Sequence, residues 1–170
     1  MKKLIVLMLI CLLCMPAFAE EAAPECIDLF PYIGSGTRDE IKAVITEPFI
    51  RGDVVTGGSN LYYGESLADC ICFRYAREDC EETYGWGYGT VYYVSIGTDG
   101  YSLMDIRVGD TTEDIAAICL ADGWTEMAEP PQNCDGGYEK TVDGVSYTLG
   151  YIIEYGTNQI NHVSIKAVNV

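Results

Sequence analysis

Two stretches of the chain carry the spacing of an amphipathic helix. In Thr37-Arg38-Asp39-Glu40-Ile41-Lys42-Ala43-Val44, followed by Ile45, the residues Ile41, Val44 and Ile45 recur at helical intervals. In Thr111-Thr112-Glu113-Asp114-Ile115-Ala116-Ala117-Ile118, followed by Cys119, the same holds for Ile115, Ile118 and Cys119. Each begins with a threonine suited to cap the helix and an acidic residue three positions on, which predicts a capping box at each start. Pro48 is expected to stop the first helix, and Gly123 to cap the end of the second.

Elsewhere the apolar positions alternate with a period of two, which predicts strands. Over 69–75 the alternation puts Ile71, Phe73 and Tyr75 on one face, and over 101–108 it does the same for Met104, Ile106 and Val108. Over 146–155 the shared face holds Tyr147, Leu149, Tyr151, Ile153 and Tyr155. Turn signals lie between the runs at Asp99-Gly100, Asp143-Gly144 and Gly156-Thr157-Asn158, with Asp143-Gly144 the best hairpin turn. Residues 127–137, with Pro130-Pro131, read as a loop.

The pattern also echoes itself. The two helical stretches align without a gap, and Val91-Tyr92-Tyr93-Val94-Ser95-Ile96 resembles Ile160-Asn161-His162-Val163-Ser164-Ile165. The period is about 70 residues. This predicts an α+β fold of two tandem repeats, 32–107 and 108–170, each a helix followed by antiparallel strands, together forming one compact unit that can share one sheet.

The start of the chain changes the picture. Lys2 and Lys3, the apolar run from Leu4 to Met15 and the sequence Ala17-Phe18-Ala19 read as a signal peptide over 1–19, cut after Ala19. The run is too short to span a bilayer comfortably. Neither Cys11 nor Cys14 lies in a lipobox, so no lipid anchor is expected. The chain is therefore expected to be secreted or periplasmic, with a flexible start over 20–31 and no membrane insertion after cleavage.

Cleavage would leave 8 Lys and Arg against 26 Asp and Glu, a net charge of −18. Nucleic acid and anionic lipid are poor partners for that surface, whereas a protein with a basic patch is attracted to it. It would also leave six cysteines, an even number that reads as disulfides in an exported chain. Cys119 and Cys134 stand apart in sequence from the other four and are expected to pair. Partners for Cys26, Cys70, Cys72 and Cys80 stay open, and Cys70 and Cys72 share one strand face. Among those six no C-x2-C pair occurs, and there is a single histidine, so neither a metal site nor a cofactor is expected.

Gly34-Ser35-Gly36-Thr37 leading into the first helix and Val108-Gly109-Asp110-Thr111 leading into the second give the chain an organisation that resembles the secreted β-lactamase inhibitory protein family and related small exported α-β repeat proteins. The resemblance implies tandem helix-then-sheet repeats, disulfides and an aromatic-rich concave sheet face that contacts a protein.

Tyr84-Gly85-Trp86-Gly87-Tyr88-Gly89 alternates aromatics with glycine, in a region about eleven residues longer in the first half than in the second. Aromatics of this kind bury much area at small entropic cost. Tyr93 and His162 hold equivalent places in the two echoes, pointing away from Val94, Ile96, Val163 and Ile165. The candidate binding surface is thus Tyr84, Trp86, Tyr88, Tyr93 and His162. The acidic run around Cys80 (Glu78, Asp79, Glu81, Glu82) lacks the alternation of a calcium loop and reads as a charged loop. No nucleophile elbow, P-loop or His-Glu-x-x-His occurs, so no catalytic residue is assigned. The expected function is a secreted, non-catalytic, inhibitor-like binding protein. The alternatives are a carbohydrate or cell-wall binding module and an envelope structural or assembly protein.

Overall fold

The structure, a computed structural model, describes residues 26–77 and 85–169. The expected signal peptide, Tyr84, Cys80 and the acidic run around it lie outside the described residues.

Eight strands form one antiparallel sheet. They are β2 (Phe49–Val55), β3 (Gly58–Gly64), β4 (Cys70–Ala76), β5 (Val91–Ile96), β7 (Thr125–Glu126), β8 (Gly136–Val142), β9 (Val145–Ile153) and β10 (Ile160–Asn169). Their order is β2-β3-β4-β5-β10-β9-β8-β7. A separate parallel pair joins β1 (Ile27–Asp28) to β6 (Tyr101–Ser102), and a short 3-10 turn follows β1 at Phe30–Tyr32. Among the described residues two helices accompany the sheet, α1 (Arg38–Val44) and α2 (Thr112–Ala121).

The expected α+β arrangement of two helix-plus-sheet repeats is corrected by this architecture. Among the described residues strand accounts for 47% and helix for 15%, a mostly β composition with one large sheet. The physical reason lies in the centre. The two echoed segments become β5 and β10 and pair with each other, Ser95 opposite Ser164 and Val94 opposite Ile165, so the sheet runs through without a break.

Local chemistry accounts for the elements. Thr37 and Glu40 form a reciprocal capping box at α1, and Thr111 and Asp114 form another at α2. Helix α2 ends where Gly123 adopts φ 77° and Trp124 N–H bonds to the Cys119 carbonyl at 2.9 Å. At the β8–β9 hairpin Asp143 and Gly144 both take positive φ, 50° and 80°, as a type I′ turn requires. The expected strand over 101–108 stops after Ser102. Met104 and Asp105 take φ 58° and 67°, outside the extended region, and Leu103 and Ile106 bridge across the resulting turn.

The core lies between the helices and one sheet face. Ile71, Phe73, Val94, Ile96, Leu149, Val163 and Ile165 are fully buried there, joined by Ile41 of α1 and by Ile115 and Cys119 of α2. Leu29 is also fully buried, so the end of the expected flexible start packs into the core.

All five described cysteines are free thiols. The expected Cys119–Cys134 bridge is therefore corrected. Cys119 is fully buried on the helix side, the face of Leu149. Cys134 Sγ lies 2.6 Å from the position a Cβ on Gly150 would occupy. Gly150 follows Leu149 in the strand and faces the opposite way. The sheet stands between the two sulfurs.

Candidate functional site

The alternation that sends Val94, Ile96, Val163 and Ile165 inward sends Tyr93, Ser95, His162 and Ser164 to the face turned away from both helices. Register then extends this outer face across the sheet. One cross-strand row runs Asp53, Asn60, Arg74, Tyr93, Lys166, Thr148. The adjacent row runs Arg51, Tyr62, Cys72, Ser95, Ser164. Directly opposed side chains in such rows are close enough to interact.

These rows form a linked polar network. Arg74 Nε donates to Asn60 Oδ1 at 2.5 Å, and Asn60 Nδ2 donates to the Tyr62 hydroxyl at 2.9 Å. The Arg74 guanidinium lies 5.2 Å from the centre of the Tyr93 ring, and that of Arg51 lies 5.2 Å from the Tyr62 ring. Both are cation–π distances. Burial pushes the Tyr93 hydroxyl above its ordinary pKa. Burial, and then the positive charge of Arg74, push Lys166 below its own. The Cys72 thiol is pushed up to about 12, chiefly by burial, so it stays protonated and unreactive.

His162 Nε2 and Ser95 Oγ are 2.5 Å apart. Burial lowers the histidine pKa, so the ring is neutral at pH 7. The pair has the identity of a nucleophile and its base, but Ser95 is only 2% exposed. The other ring nitrogen, Nδ1, faces Gly97, 2.7 Å from where a Cβ would stand. In this arrangement the bond links β5 to β10 across the face. Among the described residues, no group of three metal-binding side chains occurs.

The structure divides the expected surface. Tyr93 and His162 share the outer face and meet through Ser95. Trp86 is corrected to a core residue. It is 7% exposed, its Nε1 donates to the Ala167 carbonyl at 3.1 Å, and its ring packs against Gly34. Tyr88 is exposed, but it borders a different cleft of about 240 Å³ with Thr37, Arg38, Asp39 and Tyr75. There the Arg38 guanidinium lies 5.3 Å from the Tyr75 ring centre. Tyr75 sits one position beyond Arg74 on β4, so the two point to opposite faces.

Sequence reasoning missed Arg74, Lys166, Asn60 and Tyr62. For two of them a signal existed. Arg74 shares its strand phase with Cys70 and Cys72, and Lys166 shares its phase with His162 and Ser164.

No helix among the described residues is long and apolar enough to cross a membrane. No protein-family model matches the chain, and no curated protein matches it. Among solved structures it is similar to an extracellular protein containing a SCP domain from Bacillus anthracis str. Ames. The TM-score is 0.52 at 14% identity, covering 86% of this chain and 47% of that one. The chain thus spans about half the length of that structure, and at this identity the likeness is one of fold alone.

Proposed function

We propose that the chain is an exported, non-catalytic binding protein that engages a protein partner through the outer face of its sheet. The observation that carries this reading is the position of Tyr93, between Arg74 and Lys166 at the middle of a face turned away from both helices. Tyrosine and arginine are the side chains that most often dominate binding energy, above all when central. The network through Asn60 and Tyr62 holds Arg74 in place before any partner arrives, which lowers the entropic cost of binding. An exported location is supported by the signal-peptide pattern. Blocking an exported enzyme is the form of binding that the sequence resemblance to the inhibitory family suggests.

The overall net charge of −16 favours approach of a basic protein at long range. Contact adds a local requirement, because Arg74 and Lys166 are both cationic and would meet an acidic or hydroxyl-rich spot at the centre of the partner's patch.

The test is capture from exported and envelope fractions with the purified protein, beside Tyr93→Ala and Arg74→Ala variants of unchanged circular dichroism. A specific protein captured by the parent and weakened about thirtyfold or more by either variant supports the reading. Equal capture by all three removes the outer face from the site.

A second reading has its own observation. The Tyr88 cleft combines two tyrosine rings with Arg38 and Asp39, a set that suits stacking on a sugar ring and hydrogen bonding to its hydroxyls. Glycan capture that is insensitive to salt, lost in Tyr88→Ala and retained in Tyr93→Ala, would favour a carbohydrate-binding module.

A further inference from the structure

The two edges of the sheet are unequal. One ends in β7, only two residues long, a device that limits pairing with other chains. The other is β2, seven residues long, with Val54 73% exposed and Phe49 58% exposed. An edge strand of this length with apolar side chains in water is a template for another strand.

The direction of its backbone groups follows from the β2–β3 hairpin. Val55 pairs with Gly58 across the two-residue turn Thr56-Gly57. That closing pair is hydrogen-bonded in both directions, and bonded pairs then alternate along the ladder. Val55, Asp53 and Arg51 therefore turn their backbone groups towards β3. Val54 and Gly52 turn theirs to the open edge.

The sequence of this edge is complementary to itself. Antiparallel pairing of β2 with β2 of a second copy, centred on Gly52, sets Gly52 opposite Gly52 as a bonded pair, with no side chains to collide. It sets Arg51 opposite Asp53 of the second copy, and Asp53 opposite its Arg51. The charged pairs fall at the non-bonded positions, where opposed side chains come closest. Within one copy Arg51 and Asp53 already sit on the same face, with Nη2 and Oδ2 3.0 Å apart, so both heads lie near the positions the second copy would present. Ile50 is the extra residue of the irregularity between Phe49 and Arg51, so the regular alternation runs from Arg51 onwards and the pairing is confined to Arg51, Gly52 and Asp53 of each copy.

We propose that the chain forms a two-fold symmetric dimer by antiparallel pairing of β2 with β2, centred on Gly52 and fixed in register by reciprocal Arg51–Asp53 pairs. A second copy is the occupant that this charge pattern selects, because the pattern Arg-Gly-Asp returns its own complement under the two-fold. Closed two-fold contacts of this kind also use up the edge and prevent open-ended growth.

Sedimentation velocity of the purified protein across micromolar concentrations, with Arg51→Asp and Asp53→Arg variants, tests this. The parent is expected to dimerise. Each single variant opposes like charges twice per interface and is expected to raise the dissociation constant about tenfold or more. In an equimolar mixture, an Arg51→Asp copy presents two acidic side chains to the two basic ones of an Asp53→Arg copy. Both opposed pairs are then of opposite charge, and the mixture is expected to dimerise again. Recovery in the mixture also excludes misfolding as the cause of the losses, and circular dichroism of each variant checks the fold separately. A parent that is monomeric throughout, single variants that dimerise as the parent does, or a mixture that stays monomeric would each overturn the proposal.

Discussion

Replacing Trp86 by alanine is expected to destabilise the protein by about 3–5 kcal/mol, the range for removing a large buried aromatic side chain. The indole is 7% exposed and packs among core residues. One of its ring carbons, Cη2, stands 3.1 Å from where a Cβ on Gly34 would be, so removing the ring leaves an empty volume against fixed backbone. The substitution also deprives the Ala167 carbonyl of its 3.1 Å donor. Trp86→Phe keeps most of the ring area and loses that donor, at an expected cost of roughly 1–2 kcal/mol. Urea unfolding followed by far-ultraviolet circular dichroism separates the cases. With a slope of about 2 kcal/mol per molar, the midpoint should fall by about 2 M for alanine and by about 0.5–1 M for phenylalanine. A midpoint for Trp86→Ala within about 0.3 M of the parent, together with lost partner binding, would refute the core assignment and return Trp86 to the contact surface.

Gly34→Ala should cost roughly 1–2 kcal/mol in the same assay, because φ is 81° and the added methyl meets Trp86; an unchanged midpoint would show that this turn relaxes freely. His162 is the single histidine of the chain, and burial lowers its folded-state pKa below the unfolded value, so its neutral form is the one the fold favours. The stability it supports is complete above about pH 6.5 and is lost as pH falls from there through the folded pKa, because the unfolded chain takes up the proton first. Denaturant midpoints between about pH 7 and 5 should therefore decline in the parent and flatten in His162→Gln; parallel declines would assign the effect elsewhere. Cys72 and Cys119, buried with thiols pushed up to about 12, should resist iodoacetamide in the native protein and react only after unfolding, while half-exposed Cys26 reacts first. Mass spectrometry reads the result, and rapid native labelling of Cys72 would contradict its place in the outer-face network. Thr111→Ala should remove the capping box of α2 and cost about 1 kcal/mol, with no effect on partner capture.

Local chemistry was legible wherever it acted within a few residues. Both capping boxes, the Asp143-Gly144 turn and the phase of β4, β5, β9 and β10 follow from spacing alone. So does the inward burial of Val94, Ile96, Val163 and Ile165 and the outward turn of Tyr93 and His162. The β2–β3 hairpin was not legible, because Gly52, Gly57, Gly58, Ser59 and Asn60 dilute the alternation that marks a strand. Nor was the side chosen by Trp86. Its position is set by the carbonyl of Ala167, 81 residues away, and by Gly34 on a third segment. The Cys119–Cys134 expectation failed for a related reason. Isolation in sequence says nothing about which face of a sheet a sulfur occupies, and here the two sulfurs lie on opposite faces. The continuity of the eight strands depends on β5 pairing with β10, a contact between segments whose resemblance in sequence marked their equivalence rather than their adjacency.

The proposed edge pairing and the proposed binding face share one geometry. Asp53 begins the cross-strand row that continues through Asn60 and Arg74 to Tyr93 and Lys166. Arg51 and Asp53 lie on the same outer face as these residues, so pairing at β2 would place two outer faces side by side in one sheet, related by the two-fold at Gly52. The partner would then meet two identical sites at a fixed separation. The consequence is separable by valency. In Arg51→Asp the single-site affinity for a monovalent partner fragment should fall by no more than about fivefold, the share of the Arg51–Tyr62 contact in steadying Arg74, since Tyr93 and Arg74 themselves are unchanged. Binding to a partner immobilised at high density should weaken about a hundredfold, because the second attachment is lost. Surface plasmon resonance at low and high partner density distinguishes the two. Equal losses at both densities would mean that Arg51 contacts the partner itself, and loss at neither would mean that only one face of the dimer can be engaged at a time.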